Sequence, residues 1–210
     1  EITERDWSSD VCSSDLFRDK SPFEVMEKLV REEFIRKQER TNLNFWSAAC
    51  SSGQEAYSMV MTMEKVIREA RRVDYKIMGS DISSEIVARA RAGIYNDFEV
   101  KRGLTEQQIA SYFDRQPNGW QIKDSLKRHV EFKTGNLVRD FYTGGPYDLI
   151  FLRNVLIYFD TETKTRVLEK MHRIIARDGY LVLGAPETVM GLGNYFSPAP
   201  EYKGFYKPNH

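Results

Sequence analysis

The sequence predicts a doubly wound, mostly parallel α/β sheet, and three observations carry that prediction. Strand-like apolar segments alternate with amphipathic helical segments along most of the chain. Residues 147–152 are apolar almost without interruption, as a central parallel strand covered on both faces requires. The strand at residues 43–48 runs into a loop of small residues (Ala49, Cys50, Ser51, Ser52, Gly53) and then a helix, while the next strand ends on Asp81. Small residues let a backbone approach a ligand, and an acid after the second strand can accept two ribose hydroxyls, so this crossover has the skeleton of a nucleoside site. The loop keeps only Gly53 of a G-x-G-x-x-G pattern, so an ordinary strand–turn–helix joint stays open on this segment alone.

The 210 residues suit one domain with a two-sided core. Lys plus Arg and Asp plus Glu number 31 each, and no basic–aromatic stripe interrupts that balance, which argues against nucleic acid. No apolar run approaches the roughly 18 residues of a membrane span and no signal peptide is read, so a cytoplasmic protein without membrane insertion is expected. Cys12, Cys50 and three scattered histidines give neither a disulfide framework nor metal-ligand spacing, and no metal is expected.

Residues 1–16 are polar, lack any period and match the translation of a common sequencing-adapter oligonucleotide. They are set apart as a disordered assembly artefact, Cys12 and Ser14 with them. Residues 17–42 form a linker and helix: Ser21 is the expected N-cap, Pro22 opens the first turn, Glu24 closes a capping box, and an apolar face runs to about Arg36. Residues 43–210 form the main domain. Its second helix runs from Gln54 to about Arg71 with Ala56, Tyr57, Val60, Met63 and Ile67 inward. A strand follows at residues 75–80, then a helix capped by Ser83 or Ser84 that ends before Gly93. Residues 96–128 read as a small inserted subdomain, with a capping box at Thr105 and Gln108 and a turn at Pro117, Asn118 and Gly119. Strands at residues 130–133 and 147–152, a helix capped by Asp160 or Thr161 and ended by Asp178 and Gly179, and a strand at 180–183 complete the alternation. The aromatic tail around Pro198 and Pro200 predicts an antiparallel hairpin on the sheet edge, giving seven strands.

Ligands in such sheets lie beyond the carboxyl ends of the strands, where the loops at residues 48–55, 80–82, 135–137 and 152–159 converge. Those loops carry specific blocks: Trp-Ser-Ala-Ala-Cys-Ser-Ser-Gly-Gln-Glu at 46–55, Ser-Asp-Ile at 80–82, Gly-Asn-Leu at 135–137 and Leu-Arg-Asn-Val-Leu-Ile-Tyr-Phe at 152–159. With Phe-Arg-Asp at 17–19 and Ala-Gly-Ile-Tyr at 92–95, the chain resembles the CheR-type chemotaxis receptor glutamate O-methyltransferases from residue 17 to about 207. The resemblance implies a class I, Rossmann-like methyltransferase fold with a small β-subdomain, and transfer of a methyl group from S-adenosylmethionine (SAM) to receptor glutamates, leaving S-adenosylhomocysteine.

By that resemblance Glu55 holds the methionyl ammonium, Asp81 the ribose, and Asn136 with Leu137 the adenine, while Arg153 and Tyr158 flank the methyl. Arg18 contacts the cofactor from above, and Ala49, Gly53 and Leu152 complete the cofactor set. The implied partner is the cytoplasmic helical bundle of a methyl-accepting receptor, met by a monomer. The family's helical, receptor-docking N-terminal domain has no counterpart in these residues, so weak SAM binding and slow methylation are expected of this chain. The short turn at residues 117–119 favours a type that needs no receptor-peptide tether.

Local readings stay open beside these roles. Asp81 also suits a helix cap, Glu55 the positive end of its helix, Asn136 a turn, Arg153 a structural ion pair and Tyr158 a packed aromatic. At the level of function, another acceptor, a non-catalytic SAM-sensing module and a nicotinamide dehydrogenase compete; the imperfect glycine loop and the lack of a proton-donor pair disfavour the last.

Overall fold

The computed structural model describes residues 15–69, 73–140 and 144–210. Cys12, Ser14 and the expected helix end near Arg71 lie outside them. Of the sixteen residues set apart in the sequence, Asp15 and Leu16 are described, and Leu16 is buried in the same core as Phe23 and Phe151, so the fold takes in these two.

Helix α1 (Ser21–Leu29) continues as a π-helical stretch over Val30–Lys37, in which the Gln38 N–H bonds the Glu33 carbonyl. The Ser21 cap is not formed. Lys20 already has helical backbone angles and its carbonyl accepts from the N–H groups of Phe23 and Glu24, which places Ser21 inside the helix. Strand β1 (Asn42–Ala48), helix α2 (Gln54–Glu69), strand β2 (Asp74–Asp81) and helix α3 (Ser84–Ala92) form the predicted crossovers. Within α2 the inward stripe holds at Ala56, Tyr57, Val60 and Met63, with Ile67 half-buried.

The subdomain starts two residues earlier than expected. Strand β3 (Ile94–Tyr95) joins β4 (Phe113–Gln116) and β5 (Gly119–Ile122) in a separate three-stranded sheet ordered β3-β5-β4, with helices α4 (Asp97–Gly103) and α5 (Glu106–Tyr112) between its first two strands. Thr105 and Gln108 form the predicted reciprocal capping box.

Helix α6 (Asp124–Lys127) leads back into strand β6 (Val130–Thr134), and strand β7 (Tyr147–Leu152), a single 3-10 turn (Leu156–Tyr158) and helix α7 (Thr161–Ile174) follow. Asp160 caps α7 by accepting from the Thr163 N–H at 2.8 Å. Helix α7 ends at Ile174, before Asp178 and Gly179, because strand β8 (Ile175–Leu183) turns extended at Ile175 to pair with Tyr147. Asp178 and Gly179 fall in a register shift of β8, between the pairings Tyr147–Ile175 and Leu149–Tyr180. The predicted tail hairpin is β9 (Phe196–Pro198) with β10 (Phe205–Pro208).

Among the described residues the main sheet has seven strands in the order β6-β2-β1-β7-β8-β10-β9, with β6, β2, β1, β7 and β8 mutually parallel and β10 antiparallel to β8. Every residue of β7 is buried. Side-chain alternation splits the core: Phe45, Ile77, Leu149 and Phe151 face the layer of α1, α2 and α3, whereas Trp46, Met78, Ile150 and Leu152 face α7. With helices on both faces, the edge where the parallel strands end is where ligands of such sheets lie.

Candidate active site

Strands β1, β2, β6 and β7 run parallel, so their carboxyl ends share one edge of the sheet. The loops leaving them enclose a cleft of about 440 Å³, within the roughly 300–1,000 Å³ of small-molecule sites. Ala49, Asp81, Asn136, Leu137 and Tyr158 line it. An adjoining cavity of about 40 Å³ shares Ala49 and is lined by Arg18, Glu55 and Arg153. Gly53 and Leu152 line neither; both are buried beneath the loops they belong to.

The loop after β1 is built from left-handed backbone. Ala49, Ser51 and Gly53 have φ of +58°, +49° and +92°. Such angles cost a non-glycine residue about 1–2 kcal/mol, so Ala49 and Ser51 hold by strain the positions that glycines often fill without it. Their anchors are the bonds from Cys50 N to the Ser80 carbonyl (2.8 Å) and from Ser51 N to Asp81 Oδ2 (2.9 Å). Gly53 is needed for space as well: a Cβ there would lie 3.0 Å from Ala90 Cβ and 3.1 Å from the Phe132 ring.

Asp81 is buried, and its two oxygens accept from Ser51 N (2.9 Å) and Ser83 N (3.2 Å). A carboxylate has about four lone-pair directions, so these bonds fix its orientation and leave acceptor capacity toward the cleft. Burial pushes its pKa up, against the pull of the backbone N–H groups. The cap of α3 falls to Ser83, whose hydroxyl accepts from Ile86 N at 3.3 Å.

Glu55 stands in the first turn of α2. Its Oε1 accepts from Ser47 Oγ at 2.7 Å and its Oε2 from Arg153 Nη1 at 3.0 Å. Burial raises the Glu55 carboxyl, and the Arg153 charge opposes that rise. The Arg153 side chain is 2 % exposed. Its Nη2 donates to Asp19 Oδ2 at 2.9 Å and to the Arg18 carbonyl at 3.3 Å, so the guanidinium ties the linker before α1 to α2. Its Nε is buried with no hydrogen-bond partner among the described residues, an unmet donor on a residue that walls the small cavity.

Asn136 fulfils its turn role while lining the cleft: its Oδ1 accepts from Val138 N (2.8 Å) and Arg139 N (3.2 Å). Tyr158 is 38 % exposed at the end of the 3-10 turn, on the open side of the cleft. Sequence reasoning missed Ser47 and Asp19 as supports of Glu55 and Arg153. Ser47 carries a signal in hindsight, being a hydroxyl on a strand position that is otherwise apolar; the Asp19 contact depends on how the linker folds back. Burial also pushes the Cys50 thiol well above its ordinary value, which disfavours the thiolate.

The arrangement can hold a nucleoside by its sugar at Asp81 and a second polar, cationic end near Glu55, with an open wall at Tyr158 for an acceptor. Residues 13–205 match the family model described as CheR methyltransferase, SAM binding domain. The chain is 37% identical over 184 residues to the chemotaxis protein methyltransferase Cher2 of Pseudomonas putida, covering 86% of this chain and 67% of the relative. It is 40% identical over 184 residues to the chemotaxis protein methyltransferase of Vibrio anguillarum, covering 86% and 66%. The chain thus spans about two thirds of the length of these curated relatives. Among solved structures, a glycopeptide N-methyltransferase complexed with sinefungin aligns with a TM-score of 0.48 at 8% identity, over 82% of this chain and 50% of that one. The magnesium protoporphyrin IX methyltransferase of Synechocystis with bound SAH aligns with a TM-score of 0.41 at 18% identity, over 78% and 55%.

Proposed function

This chain belongs to the CheR family of SAM-dependent methyltransferases, and from that premise we propose that it forms methyl esters on glutamate side chains of a chemotaxis receptor's helical bundle. The observation that carries the reading is the placement of Asp81 in the cleft and of the Glu55–Arg153 pair in the adjoining cavity, the two meeting at Ala49 on the carboxyl edge of the sheet. The side chains suit SAM: an acceptor for ribose hydroxyls at Asp81 and a carboxylate for an ammonium at Glu55.

Bound SAM supplies a methyl group on a sulfonium sulfur, open to in-line displacement. A receptor glutamate, with an ordinary pKa of about 4.3, is already anionic at neutral pH. The protein therefore has alignment and water exclusion to provide rather than proton abstraction. In this reading Asp81 accepts the sugar hydroxyls and Glu55 faces the ammonium. Asn136 and Leu137 form the adenine wall, and Arg18 contacts the cofactor from above, beside Glu55. Tyr158, exposed at the open side, donates to the incoming carboxylate. Arg153 acts at one remove, holding Glu55 and the linker in place, because both of its terminal nitrogens are already engaged.

Incubation of the chain with methyl-labelled SAM and receptor-containing membranes tests the proposal. Base-labile label on the receptor, lost with Asp81→Ala, is the expected result. Binding of adenosylhomocysteine with no base-labile label would leave a sensing module and overturn the transfer reading.

A further inference from the structure

Resting on that reading, we propose that Glu187 is a positioning residue of the transfer reaction, setting the backbone of the loop that carries Arg153 and Tyr158. Glu187 lies after β8, at the end of a tight turn closed by its own N–H on the Gly184 carbonyl at 3.0 Å. It is 8% exposed, and its carboxylate accepts four backbone N–H groups. Oε1 takes those of Val155 (2.9 Å) and Leu156 (2.8 Å), and Oε2 those of Asn154 (2.8 Å) and Gly184 (2.7 Å). Three of the four belong to consecutive residues that run from past the end of β7 into the first position of the 3-10 turn.

That stretch cannot hold its shape alone. Asn154 has a left-handed φ of +58°, and Val155 and Leu156 stand at the start of a turn whose first N–H groups have no partner within it. A carboxylate fills all three vacancies, and charge-assisted bonds are roughly twice as strong as neutral ones. The turn so fixed bonds Tyr158 N to the Val155 carbonyl (3.2 Å) and Phe159 N to the Leu156 carbonyl (3.0 Å), which delivers Tyr158 to the cleft. Gly184 makes room for the clamp: a Cβ there would lie 2.8 Å from Glu187 Oε2 and 2.9 Å from Asn154 Oδ1. A structural ion pair would show a cationic side chain against Glu187; its four hydrogen-bond partners among the described residues are all main-chain donors.

Glu187→Gln separates the roles, since it keeps volume but turns a donor toward two of the four N–H groups. In this variant the amides of Asn154, Val155 and Leu156 should exchange with solvent at least tenfold faster. Turnover per folded molecule should fall by about 10²-fold, the loss expected of an approximately 1 Å misplacement, while adenosylhomocysteine binds within about threefold of the parent. Glu187→Asp, which keeps the charge on a shorter stem, should recover part of the turnover. Unchanged amide exchange at residues 154–156 would overturn the proposal, as would turnover per folded molecule equal to the parent with only a lower melting temperature. A parent chain that binds adenosylhomocysteine but transfers no methyl would count against the transfer reading instead, and the amide exchange would still decide whether Glu187 sets the loop.

Discussion

Arg153 Nη1 lies 3.0 Å from Glu55 Oε2, joining the end of β7 to the first turn of α2 across 98 residues of chain. The same guanidinium reaches Asp19 through its other terminal nitrogen, so one buried cation links three separate segments around the site. Removal of either partner should therefore disturb both stability and ligand binding.

Breaking a buried pair by deleting one partner leaves an uncompensated charge and costs about 3–5 kcal/mol. Arg153→Met should lower the melting temperature by roughly 6–20 °C for a domain of this size. Combining it with Glu55→Gln should restore most of that loss, because neither charge then remains buried. Thermal denaturation of the single and double variants checks this; an additive double variant would contradict the pairing.

Asp81→Asn puts a donor against one of the two backbone N–H groups that now orient the acid. Losing that bond and an acceptor for the sugar together should weaken adenosylhomocysteine by about 10–100-fold, the scale of one to three kcal/mol for an unmet buried group. Titration calorimetry reads the change directly. An unaltered dissociation constant would remove Asp81 from the sugar site.

Acid should weaken the ligand earlier than free aspartate would predict. Burial holds the Asp81 pKa above 3.8, so in the empty site the anion is lost at a higher pH than in the unfolded chain. The sign for stability is opposite. A raised folded pKa means that the fold takes up the proton more readily, so the cost of keeping Asp81 ionised disappears as pH falls through the folded value and the Asp81 contribution improves. Dissociation constants measured from about pH 7 to pH 4 should rise toward acid, and the share due to Asp81 should vanish in Asp81→Asn.

Tyr158→Phe keeps the ring and removes the hydroxyl. If the phenol aligns the acceptor carboxylate, turnover should fall about tenfold with cofactor affinity unchanged, the pattern of an interaction made only with the acceptor or in the transition state. Initial rates at saturating SAM, beside a calorimetric titration, distinguish this from a lining role, for which both quantities would stay within about twofold.

Much of this protein was legible in its sequence because the relevant signals are local. Alternation and unbroken apolar runs gave the strands, with β7 placed at residues 147–152 as observed, and the caps of α3, α5 and α7 follow from side chains that meet the backbone N–H three residues on. Parallel order then brings Ala49, Asp81, Asn136 and Tyr158 to one edge without further information. The tertiary structure alone decided the rest. The expected Ser21 cap was lost to Lys20, and α7 stopped early because Ile175 pairs with Tyr147, a contact 28 positions away in the chain. The sequence left Arg153 open to an ion pair without naming Glu55 or Asp19 as its partners, and nothing in it pointed to Glu187, on which four main-chain donors converge. Periodicity records which face of an element is buried; which distant charge or amide meets a given side chain is set only when the layers close.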